Sequence, residues 1–183
     1  IIASALGVWA VWLTVRQNRW CWPLGLLMVL MYAWIFYDGK LYSNMLLQAV
    51  YAVLQGYGWW QWTRGGSSQT GVQVSRLSQT GILLSLAIGA VAALALGYLM
   101  ATFTDAAAPW QDATLSAFSL VAQVWMAQKR VECWPLWIVL DLLFVGLFVQ
   151  QGLYPTAALY GLFTLLAVNG WLTWRRDRAL VNA

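Results

Sequence analysis

Cys21-Trp22-Pro23-Leu24 returns 112 residues later as Cys133-Trp134-Pro135-Leu136, and Gly58-Trp59-Trp60-Gln61-Trp62 returns as Gly170-Trp171-Leu172-Thr173-Trp174. The offset holds without a gap between these blocks, so Leu30, Phe36, Leu41, Tyr42, Leu47, Leu54 and Arg64 also meet their own kind. In all, 14 of the 44 positions from Cys21 to Arg64 are preserved, three of them as tryptophan pairs, which chance rarely produces. A fixed internal period is read before anything else about fold, and this one means two copies of one unit.

Composition says what kind of unit it is. The chain is 62% hydrophobic and only 9% charged, against roughly 25% charged residues in soluble domains. An integral membrane protein follows, and 183 residues leave no room for a sizeable extramembrane module. The net charge of +4 does not indicate nucleic acid, because the basic residues stand singly or in pairs at the ends of apolar runs, where orientation signals belong.

Seven apolar runs are expected to span: Ile1 to Val15, Trp22 to Tyr37, Leu41 to Trp62, Leu77 to Thr104, Ala113 to Gln128, Trp134 to Gln150 and Tyr154 to Trp174. A span needs about 20 such residues. Arg64-Gly65-Gly66-Ser67-Ser68-Gln69 reads as a flexible loop between the halves. Gly81, Ser85, Gly89, Ala93, Gly97 and Ala101 make a ridge of small side chains on the fourth run, suited to close helix packing. Four spans separate each helix from its copy, so the two halves run parallel. The plan is all-α, three plus one plus three: repeat 1–63, loop and linker helix 64–112, repeat 113–176 and a cytoplasmic tail 177–183. Transporters with a symmetry axis along the membrane normal share it.

Nine of the ten basic residues, all but Lys40, collect on one side, which the positive-inside rule makes cytoplasmic. The N-terminus is then external and the C-terminus internal. Cys21 and Cys133 lie near the reducing face and read as packing residues, with no disulfide and no metal. The chain has no histidine, no phosphate-binding glycine loop and no second carboxylate on a helix with Asp141, so it is not read as an enzyme and needs no cofactor. A retinal receptor would need an embedded lysine, and Lys40 and Lys129 stand at helix ends.

What remains in the membrane is amides, rings and one acid. Asn44, Gln48, Tyr51 and Gln55 fall within about 60° of arc on the third helix at 100° per residue, with Gly58 and Trp62 continuing that face and Trp59 at its edge. Unpaired amides are costly in hydrocarbon, so this face should look into a bundle or a wet cavity. Interhelical hydrogen bonding is the plainer use of such residues, and a binding face the preferred one. The second copy places Thr156, Tyr160, Phe163 and Ala167 there instead. It has Asp141 at mid-span, where the first copy has Val29, and an intramembrane acid is a functional candidate by default.

The Trp-Cys-Trp-Pro-Leu opening, the Asn44/Gln48/Gln55 face running into Gly58-Trp59-Trp60-Gln61-Trp62, the doubled Gly-Trp-x-x-Trp ending and the tryptophan-rich composition resemble the PnuC family of bacterial vitamin transporters over essentially the whole chain. The resemblance implies a SWEET-like fold in the bacterial inner membrane and import of nicotinamide riboside by facilitated diffusion, with phosphorylation trapping the product; related members take riboflavin or thiamine. The substrate-binding set expected on this basis is Asn44, Gln48, Tyr51, Gln55, Trp59, Trp34, Asp141, Phe144, Tyr160 and Asn169. Rings would surround the pyridinium, since a cation over an aromatic face gains about 0.5 to 2 kcal/mol. Amides would bind the hydroxyls and carboxamide, and Asp141 would act as counter-charge or as part of a polar network. A homotrimer in the lipid bilayer is the expected assembly. A sugar uniporter and a non-transporting membrane receptor stand as alternatives.

Overall fold

The computed structural model describes the chain outside residues 1, 39–41, 67, 105–107 and 182–183, and describes no side chains at 2–3, 35–36, 42–46 and 180–181. Within those limits the fold is all-helical apart from one isolated bridge: α1 (Ile2–Val15), α2 (Cys21–Asp38), α3 (Tyr42–Arg64), α4 (Gln79–Phe103), α5 (Pro109–Ala127), α6 (Cys133–Gln150) and α7 (Tyr154–Val181). All four prolines, Pro23, Pro109, Pro135 and Pro155, sit in the first turn of a helix, where a missing N–H leaves no gap in the ladder.

Three helices, α4, α6 and α7, are long and apolar enough to cross a membrane by length and composition, and α1 and α2 are apolar over shorter stretches. Helices α3 and α5 do not meet that standard among the described residues; they carry Gln48, Gln55, Ser119 and Gln123, which line the bundle interior. Two boundaries differ from the sequence reading by four residues or more. Helix α5 begins at Pro109, four residues before Ala113, with Asp112 in its first turn, where a carboxylate favours the positive end of the helix dipole. Helix α7 continues through the expected tail to Val181. Its 28 residues measure about 42 Å at 1.5 Å per residue, so the last turns extend past a hydrocarbon core of about 30 Å.

The helix contacts close a ring. Helix α1 packs on α2, α2 on α3, α3 on α5, α5 on α6, α6 on α7, and α7 returns to α1. Helix α4 stands outside, against α5. Its ridge of small residues is occupied there: a Cβ on Gly89 would meet Val121 and Phe118, and one on Gly97 would meet Trp110 at 2.5 Å. The ridge therefore serves packing within the chain.

The segment after α3 is held at several points, contrary to the flexible loop read from its Gly and Ser content. Gly65 N–H donates to the Gln61 carbonyl and Gly71 N–H to the Gly65 carbonyl. Gly66 and Gly71 take φ of +82° and +102°, which is where glycine is needed. Beyond them the chain runs as a strap across the α5–α6 turn. Ser75 N–H donates to the Lys129 carbonyl, Val131 N–H to the Ser75 carbonyl and Leu77 N–H to Glu132 Oε2 at 3.1 Å. Arg76 pairs with Glu132, and Arg130 donates to Ser75 Oγ and to the Arg76 carbonyl.

Candidate functional site

The ring of six helices encloses a cavity of about 370 Å³, within the size range of ligand pockets. All six helices contribute to its wall and α4 does not. Twenty of its 23 lining residues form ten pairs at the offset of 112: Gly7/Ser119, Val11/Gln123, Thr14/Met126, Trp22/Trp134, Gly25/Trp137, Val29/Asp141, Tyr32/Phe144, Gln48/Tyr160, Tyr51/Phe163 and Gln55/Ala167. Position is thus duplicated while chemistry is not. Only the Trp22/Trp134 pair keeps its residue.

One exchange shows how the walls diverged. A Cβ on Gly25 would lie 2.8 Å from the Gln55 amide atoms, so the bare backbone of α2 is what lets this amide lie against it. In the second half Trp137 replaces Gly25 and Ala167 replaces Gln55. Bulk has moved from one helix to the other, and an amide has become an indole.

Tryptophans close one end of the cavity. Trp22 meets Trp62 edge-on at 5.5 Å and Trp134 meets Trp174 in the same way at 5.2 Å, with Trp62 and Trp174 6.0 Å apart between them. The preserved glycines make room: a Cβ on Gly58 would strike the Trp22 ring, and one on Gly170 would stand 2.6 Å from that of Trp134. Each half also reaches into the other. Trp62 Nε1 donates to the Ala127 carbonyl of α5 at 3.1 Å, and Trp174 Nε1 donates to the Val15 carbonyl of α1 at 3.1 Å. Ala127 and Val15 are themselves 112 residues apart. The turns beyond match too, since Gln17 (φ 53°) and Lys129 (φ 49°) are both left-handed. They are used differently: Gln17 donates to Asp177 at 2.6 Å, while the Lys129 ammonium lies 4.6 Å over the Trp62 ring, where desolvation pushes it below the usual lysine range.

Gln48, Tyr51, Gln55, Asp141, Phe144 and Tyr160 line the cavity as the sequence reading expects. Asn44 lies on α3 with its side chain outside the described residues. Three residues do not belong. Trp34 is 71% exposed on the outer face of α2 and pairs with Tyr37. Trp59 packs on Trp20 at 5.7 Å, away from the cavity. Asn169 is exposed on α7, accepting from Thr173. Each sits on the wrong side of its helix, which composition cannot reveal. Sequence reasoning missed Trp22, Trp134, Trp137, Tyr32, Ser119 and Gln123 as lining residues. Carrying Gln48, Tyr51 and Gln55 across the offset finds Tyr160, Phe163 and Ala167, but Ser119 and Gln123 have only Gly7 and Val11 as counterparts and give no such signal.

The polar groups divide across the cavity. Gln48 and Gln55 of α3 and Ser119 and Gln123 of α5 offer uncharged donors and acceptors, with Tyr51 and Ser119 hydrogen-bond neighbours. The α6–α7 wall offers Asp141 beside a ring cluster, in which Phe144 and Tyr160 stand 4.8 Å apart and Tyr160 and Phe163 5.6 Å apart. The indole N–H groups of Trp22, Trp134 and Trp137 are buried and have no partner among the described residues. Among the described residues, no lysine or arginine lines the wall. Such a site suits a flat, partly polar organic molecule that carries no negative charge.

A family model described as nicotinamide mononucleotide transporter matches residues 1–176. The chain is 28% identical over 182 residues to the nicotinamide riboside transporter PnuC of Escherichia coli (strain K12), covering 84% of this chain and 76% of that protein. It is 29% identical over 186 residues to the riboflavin/roseoflavin transporter RibM of Streptomyces davaonensis, covering 97% and 86%. The crystal structure of the vitamin B3 transporter PnuC superposes with a TM-score of 0.75 at 26% identity, covering 96% of this chain and 79% of that one.

Proposed function

This chain belongs to the nicotinamide mononucleotide transporter family, and from that premise we propose that it imports nicotinamide riboside across the bacterial inner membrane by facilitated diffusion through the central cavity. Like its relatives it is a membrane transporter of the vitamin class and not an enzyme. The observation that carries the choice of substrate is the cavity wall: rings, amides and one carboxylate, with no lysine or arginine among the described residues. A mononucleotide would bring a phosphate among groups that offer it no cation, and a buried unpaired charge is strongly unfavourable. The riboside has the same ring and ribose without that penalty.

The helix ring supports the finer architecture as well. We read 1–63 and 113–176 as parallel three-helix repeats in a SWEET-like arrangement, joined through 64–112 with α4 as the inverting helix, and followed by 177–183. The external N-terminus, cytoplasmic C-terminus and homotrimer belong to the same proposal. The trimer rests on the exposed apolar face of α4, where Leu84, Ile88 and Val91 point outward, while the small-residue ridge packs on α5 within the chain. Riboflavin is the second reading, since RibM matches this chain as well as PnuC does.

Uptake into proteoliposomes decides between them. Labelled nicotinamide riboside should enter down its gradient with no ion gradient or ATP, and unlabelled riboside but not the mononucleotide should compete. Entry of riboflavin alone would replace the substrate, and no flux of either would overturn the transport reading.

A further inference from the structure

We propose that Asp141 is the group by which the cavity distinguishes a cationic substrate from an uncharged one of the same shape. The inference rests on the reading of the central cavity as the substrate site. It goes beyond that reading by assigning the discrimination to one charge.

Asp141 is 5% exposed, at mid-length of α6, and lines the cavity. No hydrogen bond or ion pair holds it among the described residues. The cationic side chains of the α5–α6 turn are engaged at the end of the bundle, Lys129 over Trp62 and Arg130 on Ser75 and the Arg76 carbonyl. The groups that face Asp141 across the cavity are hydroxyls and rings: Tyr160 of α7 is within electrostatic reach of it and of Tyr32 of α2 and Tyr51 of α3. The wall from α5 contributes only uncharged residues, Ser119, Gln123 and Met126, and α1 contributes nothing titratable. Among the described residues, no cation lines the cavity beside it.

A buried carboxylate without a partner is strongly disfavoured, and a cation that enters beside it removes that penalty. An uncharged molecule of the same outline does not. The rings strengthen the contrast, because the negative faces of Phe144 and Tyr160 attract a delocalised cation and are indifferent to a neutral ring. The first half has no such device: Val29 occupies the equivalent place and is buried. The ligand's charged end is therefore directed to the α6–α7 wall and its hydroxyls to the α3–α5 amides.

The test uses two ligands that differ by one hydride. Nicotinamide riboside carries a pyridinium; its 1,4-dihydro form keeps the carboxamide and the ribose but has an uncharged ring. Affinities for both are measured by calorimetry on wild type, Asp141→Asn and Asp141→Val in detergent, the last copying the residue that the first half buries at this place. Wild type should favour the cation by at least about tenfold, as charge-assisted contacts warrant. Both variants should lose most of that preference and keep only the part the rings supply, by binding the cation more weakly with little change for the dihydro form. A preference as large as the wild type's in either folded variant overturns the inference, as does equal binding of the two forms by wild type. If wild type binds neither form, the substrate reading fails first and the inference falls with it.

Discussion

Replacing Trp62 by phenylalanine separates its hydrogen bonding to the other half from the ring stack around it. Phenylalanine keeps an aromatic ring against Trp22 and beneath the Lys129 ammonium. It deletes the N–H that reaches the Ala127 carbonyl at 3.1 Å. Met126 O retains the Lys129 N–H at 3.0 Å, whereas the Ala127 carbonyl has no other donor among the described residues. A neutral bond of this kind contributes about 1 kcal/mol. If the two halves part at this end during transport, the variant should populate the open form about fivefold more, since about 1.4 kcal/mol corresponds to tenfold. Cys21 is the reporter, because it lines the cavity beside this layer and is 5% exposed. In a Cys133→Ser background, in inverted vesicles, an impermeant thiol reagent should modify Cys21 about fivefold faster in Trp62→Phe than in the parent, and nicotinamide riboside should slow both. An unchanged rate together with a lower melting temperature would refute the reasoning and make the bond a fixture of every state.

Gly25→Ala should leave the melting temperature within a few degrees but weaken riboside binding roughly threefold to tenfold by dislodging the Gln55 amide, as a titration would show. Gln48→Leu and Gln55→Leu should each weaken binding by a similar roughly threefold to tenfold while Asn169→Leu, on the outer face of α7, changes nothing; full affinity with lost stability would make the amides structural. Gly170→Ala places its Cβ 2.6 Å from the ring of Trp134, itself 1% exposed, so it should destabilise by about 1 to 3 kcal/mol, read from thermal unfolding against the parent. Single cysteines at Ser67 and Ala107 should react with an impermeant reagent in whole cells at 107 and not at 67, and the reverse would invert the topology.

The repeat carried most of what could be read in advance. Its preserved residues, Trp22, Gly58, Trp62 and their copies, turn out to be the layer where the halves lock together, which explains why they resisted change while the walls diverged. The amide stripe was legible because Gln48, Tyr51 and Gln55 share one face of one helix, and helical spacing alone shows that. Trp34, Trp59 and Asn169 were misplaced because in a membrane protein both faces of a helix are apolar, so a tryptophan toward lipid and one toward a cavity look alike in sequence. Ser119 and Gln123 were missed because they are isolated polar residues on α5, and only its packing between α3 and α6 gives them a direction. The strap over the α5–α6 turn was hidden for a different reason: glycines and serines read as disorder unless their backbone partners are known.

The exchanged tryptophan bonds have a consequence for ancestry. Trp62 of the first half satisfies a helix end in the second, and Trp174 of the second satisfies the equivalent end in the first. A chain ending near Arg64 would leave its own Trp62 and Val15 unmatched, and a second identical chain, related by a two-fold axis, would supply both partners at once. On the parallel-repeat reading proposed above, the six-helix ring is the closed form of a symmetric dimer, with α4 outside it against α5. On the same reading α4 serves fusion, by letting the second half start again from the side on which the first began. Fusion also releases the two walls from identity, and a single gene can then set an aspartate opposite a valine, which a dimer of equal chains never could.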